Sequence, residues 1–405
     1  MGEIAVHLEN GIKDMSSYTS PGGMGTTRLP FTQEAKQAAE HIAELMKEAG
    51  LHVRIDESGA IIGRLEGRRK ECYIIASHYD TVENGGDYDG IAGILCGIEI
   101  AGMMANFKDR EYSLEIIATN DEEGARFSGG FFSSKAMLGE WTQDELKNHR
   151  DKMGICLYDA MIEYGLRPKE LYKAQRNLKE IKGFFEIHIE QGPILEMAEK
   201  DIGIVKAIVG MERRMVTVYG RADHAGTTPM KVRKDAVEMA SRVISKIGDC
   251  ARKYPDTVAT VGYVKVFPNA INTIPDKVEF SLDIRSAKKK NIEQVLFEVH
   301  NMLSRYTVFE VQNTLSVEPV EMNKKFGEML AEAAEKRGYL WQKIISGAGH
   351  DSLPIGRVIP TAMLFVPSVG GRSHCPEEYT RPEDLEKAVW VLFDVVKNLL
   401  NYKEE

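Results

Sequence analysis

The run Cys72-Tyr73-Ile74-Ile75-Ala76-Ser77-His78-Tyr79-Asp80 decides how this sequence reads. Its first six residues have the length, composition and flanks of a buried strand, and a histidine follows at once. Downstream, Ile91–Ala105 carries a helical pattern, and Leu114–Thr119 reads as a second buried strand. Upstream, Thr32 can cap a helix over Gln33–Ala49 that Gly50 ends, and strands are expected near His52–Ile55 and Ala60–Leu65. A helix over Met322–Lys336 and a buried strand over Thr361–Val366 follow much later. Strands alternating with helices predict an α/β fold with a mixed, mostly parallel sheet flanked by helices. In such sheets ligands gather beyond the carboxyl ends of the strands.

Between these parts the texture changes. Strand Met215–Ala222, helix Arg233–Lys253, strands Val258–Phe267 and Lys277–Arg285, helix Asn291–Arg305 and strand Val308–Gln312 give the order β-α-β-β-α-β. That order matches a ferredoxin-like α+β unit. It predicts a catalytic domain made of residues 1–212 and 322–405, with a second domain, 213–321, inserted into it. No fixed-period repeat or low-complexity segment is present.

Composition narrows the function classes. The chain has 405 residues, enough for two domains, and 43% of them are apolar. Its net charge of −9 is spread out, without the basic stripe of a nucleic-acid binder. Cys72, Cys96, Cys156, Cys250 and Cys375 are scattered and form no CxxC pair, which suits reduced thiols and the cytoplasm. The first residues, MGEIAVHLENGIKDMSS, show neither a secretory leader nor, with Val6, a myristoylation pattern. Ile91–Ala105 carries Glu99 and is too short for a membrane span, so a soluble protein is expected.

The chemistry-bearing residues come in five segments. His78 closes the first buried strand, and Asp80, two residues on, is placed to hold the other imidazole nitrogen. Asp89 stands in Gly85-Gly86-Asp87-Tyr88-Asp89-Gly90, just before a helix. Asn120-Asp121-Glu122-Glu123-Gly124 follows the next buried strand, and Glu186, His188 and Glu190 share one face of an alternating segment. Ser373-His374-Cys375 lies beyond the last strand. Singly, each has an ordinary alternative: a core histidine, a helix N-cap, a solvated acidic turn. Together, three histidines and two carboxylates at strand ends match the donor count of a two-metal site, and adjacent desolvated carboxylates call for a cation among them.

These residues resemble the carbamoylase and ureidohydrolase branch of the dinuclear metal hydrolases that also include aminoacylases and di-zinc exopeptidases. The resemblance runs in order through GGMGTTRL (22–29), SHYDTVENGGDYDG (77–90), TNDEEGARF (119–127), HIEQGPILE (188–196), GRADHAGTTPM (220–230), IPDKVEFSLDIRS (274–286), SGAGHDS (346–352) and GGRSHCPEE (370–378). It implies two divalent ions per subunit, with zinc, manganese, cobalt or nickel all suited to the donors. His78, Asp89 and His188 would hold one, and Asp89, Glu123 and His374 the other. Glu122 would be the general acid/base, acting on the water that attacks the ureido carbon. Adjacent residues in an extended segment point to opposite sides, so Glu122 and Glu123 are not expected to bind the same ion. The inserted domain would be a lid and homodimerisation module that supplies Asn272 and Arg285 to the substrate and offers His224 to the partner's site. Gln191 and Gly371 would be further substrate contacts. Two positions depart from the pattern, Ala60 where Asn is common and Arg372 beside the last ligand, and Arg372 bears on substrate specificity.

The resemblance implies hydrolysis of an N-carbamoyl-L-amino acid to amino acid, ammonia and carbon dioxide. Peptidase-like branches carry a carboxylate at the position of His188, so HIEQG favours ureido substrates. Allantoate and β-ureidopropionate share the ureido group and the carboxylate, and the sequence does not separate them. An aminoacylase or exopeptidase on the same scaffold is a rival, as is a metal-binding protein without catalysis, against which Glu122 speaks. Taken alone, Arg285 reads equally as a surface salt-bridge residue and His224 as a turn residue.

Overall fold

The computed structural model describes residues 2–401. The chain divides into two compact units: Met1–Lys206, Met322–Ile344 and Ala348–Glu405 make the first, and Ala207–Glu321 with Ile345–Gly347 the second. In chain order the strands are β1 (His52–Ile55), β2 (Ile61–Leu65), β3 (Cys72–His78), β4 (Ser113–Thr119), β5 (Ile181–Ile189), β6 (Ile202–Ile208), β7 (Gly210–Tyr219), β8 (Thr257–Thr260), β9 (Val264–Phe267), β10 (Lys277–Ser286), β11 (Val308–Val317), β12 (Val320–Glu321), β13 (Trp341–Ser346) and β14 (Thr361–Val366).

The large sheet runs β1-β2-β4-β3-β5-β14-β6, with β13 also beside β6. Its centre is parallel: β3 pairs with β4 and β5, and β5 with β14, all in the same direction. Antiparallel strands flank it on both sides. Every residue of β3, β4 and β14 is buried, as expected where helices cover both faces. One cover is the helix Ile91–Ala105, apolar nearly all round. A helix over Glu3–Ser16, absent from the sequence expectation, buries Ala5, Leu8, Ile12 and Met15. Arg28, 1% exposed, donates to the carbonyls of Met15, Tyr18 and Tyr79 and so ties this amino-terminal part to the chain leaving β3.

The second unit is an antiparallel sheet, β11-β7-β10-β8, with β9 also on β10. The expected strand Val258–Phe267 is two strands, β8 and β9, interrupted at residues 261–263. Helices Ala236–Arg252 and Lys289–Tyr306 cover one face. On β10 the buried residues Val278, Phe280, Leu282 and Ile284 alternate with Glu279, Ser281, Asp283 and Arg285. The first set packs with Ile292, Val295, Val299 and Leu303 in one apolar cluster. Each fully buried aliphatic side chain there contributes about 1.5–3 kcal/mol. Arg285 therefore stands on the face turned away from the helices.

Candidate metal centre

Because β4, β3, β5 and β14 are parallel neighbours, their carboxyl ends open on one edge. His78 ends β3, His188 is the penultimate residue of β5, Asn120–Glu123 leave β4, and His374 follows β14. Asp89 arrives from the loop before the helix Ile91–Ala105. Gly90, at φ 69°, permits this approach, since a Cβ there would lie 2.3 Å from the carbonyl oxygen of His78.

The imidazoles are oriented by main-chain carbonyls. His78 Nδ1 lies 3.0 Å from Asp80 O, and His188 Nδ1 lies 3.0 Å from Ile189 O. A carbonyl only accepts, so each Nδ1 donates, and each Nε2 of a neutral ring presents a lone pair. Those Nε2 atoms are 3.4 Å apart and lie 3.3 and 3.0 Å from Asp89 Oδ1. Three desolvated acceptors thus converge with no donor among them, an arrangement that is unfavourable unless a cation or a proton sits between. Asp89 Oδ2 faces the other way, 3.1 Å from His374 Nε2, which lies 3.2 Å from Glu123 Oε1. Two groups, His78-Asp89-His188 and Asp89-Glu123-His374, each bring their ligand atoms within 4.8 Å of one another and can hold a metal ion. The donors fit a divalent transition metal.

The charges agree with this. Burial alone would raise the Asp89 pKa, yet the surrounding histidines, His188 foremost, hold it well below the carboxylate range. His374 is pushed up to about 10 by its contacts with Asp89 and Glu123. Burial drives Glu122 well above its ordinary value, opposed by His78 and reinforced by Glu123.

Two sequence expectations change in detail. Asp80 supports His78 through its main-chain carbonyl, whereas its carboxylate stands 3.8 Å from Nδ1. That carboxylate instead accepts from the backbone N–H groups of Glu122 and Glu123, at 3.0 and 3.2 Å, and so steers the acidic segment into the site. Glu122 and Glu123 do not point to opposite sides as they would in an extended segment. Asp121 has φ 56°, the chain turns, and both carboxylates come within ligand reach of His78.

Gln191 joins the cluster, its Nε2 donating to Asp89 Oδ2 at 2.8 Å. Gly371 lies against Pro193, next to the Gln191 loop. Arg372 turns outward and pairs with Glu377 at 2.9 Å. The remaining three expected residues belong to the second unit. His224 Nδ1 accepts from Gly226 N and Thr227 N, at 3.0 and 3.3 Å, which leaves Nε2 of the exposed ring as the donor. Asn272 is beside it, its carbonyl accepting from Ala225 N at 3.0 Å. Arg285 is elsewhere, bonded to Asp283 Oδ1 and Gly347 O at 3.0 Å each, in an open cleft of about 760 Å³. Asn272 and Arg285 are thus separated by the whole length of β10.

Residues without an expected role also line the centre. The His350 ring lies 4.5 Å from that of His188, and Glu186, His188 and His350 form a further close group. Glu186 Oε2 accepts from Ser352 N and Oγ at 2.9 and 2.6 Å. Asp351 accepts from the hydroxyls of Thr119 and Ser134. Glu378, 4% exposed, accepts from Asp89 N. The alternation Glu186-Ile187-His188 was a sufficient signal for Glu186, whereas His350, Asp351 and Glu378 are placed only by contacts distant in sequence.

The chain is similar to known proteins along nearly its whole length. Residues 74–398 match the model of peptidase family M20/M25/M40. The N-carbamoyl-L-amino-acid amidohydrolase of Paenarthrobacter aurescens is 39% identical over 404 residues, 98% of each chain. The allantoate amidohydrolase of Bacillus subtilis (strain 168) is 36% identical over 97% of this chain and 98% of its own. The crystal structure of an amidase of the hydantoinase/carbamoylase family from Burkholderia multivorans superposes with a TM-score of 0.90 at 30% identity, covering 99% of this chain and 98% of that one.

Proposed function

The chain belongs to peptidase family M20/M25/M40, and from that membership we propose that it is a metal-dependent amidohydrolase that removes the carbamoyl group of an N-carbamoyl-L-amino acid. The products are the amino acid, ammonia and carbon dioxide. The relatives named N-carbamoyl-L-amino-acid amidohydrolase and allantoate amidohydrolase support a ureido substrate. The observation that carries the reading is the convergence of His78 Nε2, His188 Nε2 and Asp89 Oδ1, three acceptors that require a positive charge.

Two ions would be held, one by His78, Asp89 and His188 and one by Asp89, Glu123 and His374, with zinc, manganese, cobalt or nickel all compatible with the donors. When bound, such ions supply Lewis acidity, which lowers the pKa of a water and polarises a carbonyl. The protein's own part is positioning and proton transfer. Glu122, its backbone pinned by Asp80, takes the proton of the attacking water and returns it to the leaving nitrogen. His224 Nε2–H is a donor for the developing oxyanion. Arg285 grips the substrate carboxylate through two parallel hydrogen bonds, and Gln191, Asn272 and Gly371 complete the contacts.

The second unit acts as a lid and dimerisation module, and His224 serves the partner's site in a homodimer. A cytoplasmic setting suits the five unpaired cysteines, and among the described residues no helix is long and apolar enough to cross a membrane. Nucleic acid is not a partner. Allantoate and β-ureidopropionate are the alternative substrates, and an N-acyl amino acid is the rival outside the ureido class. A panel of N-carbamoyl-L-amino acids, β-ureidopropionate, allantoate and N-acetyl amino acids, assayed for ammonia with each metal, tests the reading. The highest kcat/KM is expected on an N-carbamoyl-L-amino acid, and preference for an N-acetyl amino acid would overturn it.

A further inference from the structure

Glu378 is a buried carboxylate satisfied entirely by neutral donors. Oε1 accepts from Tyr88 N and Asp89 N at 3.0 Å each, and Oε2 accepts from Ser373 Oγ at 2.6 Å and His374 N at 3.3 Å. It therefore joins the loop ending at Asp89, 289 positions before it, to the turn carrying His374. These two residues face each other at 3.1 Å. The turn lies outside the sheet: His374 is in no strand, has φ 56°, and its side chain is 46% exposed, with Gln191 Nε2 at 3.3 Å from both Ser373 Oγ and His374 Nε2 as its other neighbour. His78 and His188, by contrast, sit on fully buried stretches of β3 and β5. The chain also makes room for the clamp. A Cβ on Gly86 would lie 2.2 Å from Glu378 Oε1 and 2.3 Å from its Cβ, so any larger residue there would displace the carboxylate.

We propose that Glu378 is a positioning residue: its carboxylate holds Asp89 and His374 at ion-binding separation and so sets the affinity of the Asp89-Glu123-His374 group, without touching the ion. The proposal rests on the metal reading given above. Four donors divided between two oxygens need a carboxylate, because an amide offers only one accepting oxygen and turns its NH2 toward the donors on the other side. Supports of this kind that hold a ligand in place typically govern metal affinity by about 10–100-fold.

The test titrates metal-free wild type, Glu378→Gln, Gly86→Ala and His374→Ala with manganese or zinc. Ions per chain are counted, each dissociation constant is obtained by chelator competition, and thermal midpoints of the metal-free proteins check folding. Wild type is expected to bind two ions. Glu378→Gln and Gly86→Ala keep the first ion and weaken the second by roughly 10–100-fold, and His374→Ala loses the second. Unchanged second-ion affinity in Glu378→Gln overturns the proposal, and so does equal weakening of both ions, the mark of general disruption. If Glu378→Gln does not fold, Gly86→Ala is judged by the same outcomes. Fewer than two ions on wild type overturns the metal reading itself and the proposal with it.

Discussion

His224 and Arg285 stand at opposite ends of one antiparallel ladder. Arg285 pairs with Met211 at one end of β10, whereas Lys277 pairs with Tyr219 at the other, beyond which His224 bridges Thr273. The eight residue steps from Lys277 to Arg285 span roughly 26 Å at the usual strand rise, farther than one small ureido acid reaches. If both residues serve catalysis, they serve different sites, and a C2 dimer with composite sites follows. His224→Ala and Arg285→Ala proteins, each slow at substrate concentrations well below the wild-type KM, should then complement when mixed and allowed to exchange subunits. One site of each heterodimer carries both lesions and the other carries none, so up to half of wild-type activity per heterodimer returns. No recovery despite demonstrated exchange would place both residues in the same site or outside catalysis.

Glu122→Gln should bind both ions and lose about 10²–10⁴ in turnover, because only proton transfer is removed. Glu123→Gln should lose an ion, since its Oε1 lies 3.2 Å from His374 Nε2. Metal content of the two purified variants decides between the roles, and the reverse pattern would exchange them.

Arg285→Ala should raise KM with a smaller effect on kcat, because a carboxylate remote from the scissile carbon is held alike in ground and transition states. Arg285→Lys should recover only part, as an ammonium lacks the two-pronged geometry. A wild-type KM in Arg285→Ala would remove this residue from the substrate site.

Glu115, buried in β4, is a stability determinant of the large sheet. Burial alone would raise its pKa, but Arg176 and Arg64, with contacts at 2.8 and 2.6 Å, outweigh it and hold the value below normal. A depressed folded pKa gives stability that is present above the unfolded value, about 4.3, and is lost as pH falls through the folded one. Glu115→Gln should therefore cost about 3 kcal/mol near pH 7, because two partly buried guanidinium groups lose their partner. The gap should narrow below about pH 4. Urea denaturation of metal-free wild type and variant at both pH values measures it, and a gap that does not shrink in acid contradicts the assignment.

Much of this was legible in the sequence where chemistry and periodicity are local. Ile91–Ala105 and Thr361–Val366 have the expected bounds because apolar runs between polar flanks mark buried elements. The helix Glu3–Ser16 was missed although Ala5, Leu8, Ile12 and Met15 recur at helical spacing. The segments bearing His78, Asp89, Glu123 and His374 were legible because each follows a recognisable strand or precedes a helix, and that of His188 because its residues alternate. Glu378 escaped because its role consists of hydrogen bonds to residues 289 and 290 positions earlier, and nothing in CPEE announces them. The divergence expected of Glu122 and Glu123 failed for a conformational reason, the positive φ of Asp121.

The most direct measurement follows free amino acid and ammonia together, from an N-carbamoyl-L-amino acid, with chelated and metal-reloaded protein. The account predicts one ammonia per amino acid, negligible turnover after chelation and recovery when a divalent ion is returned. Full turnover by metal-free protein, or amino acid released from N-acetyl but not N-carbamoyl substrates, would contradict it.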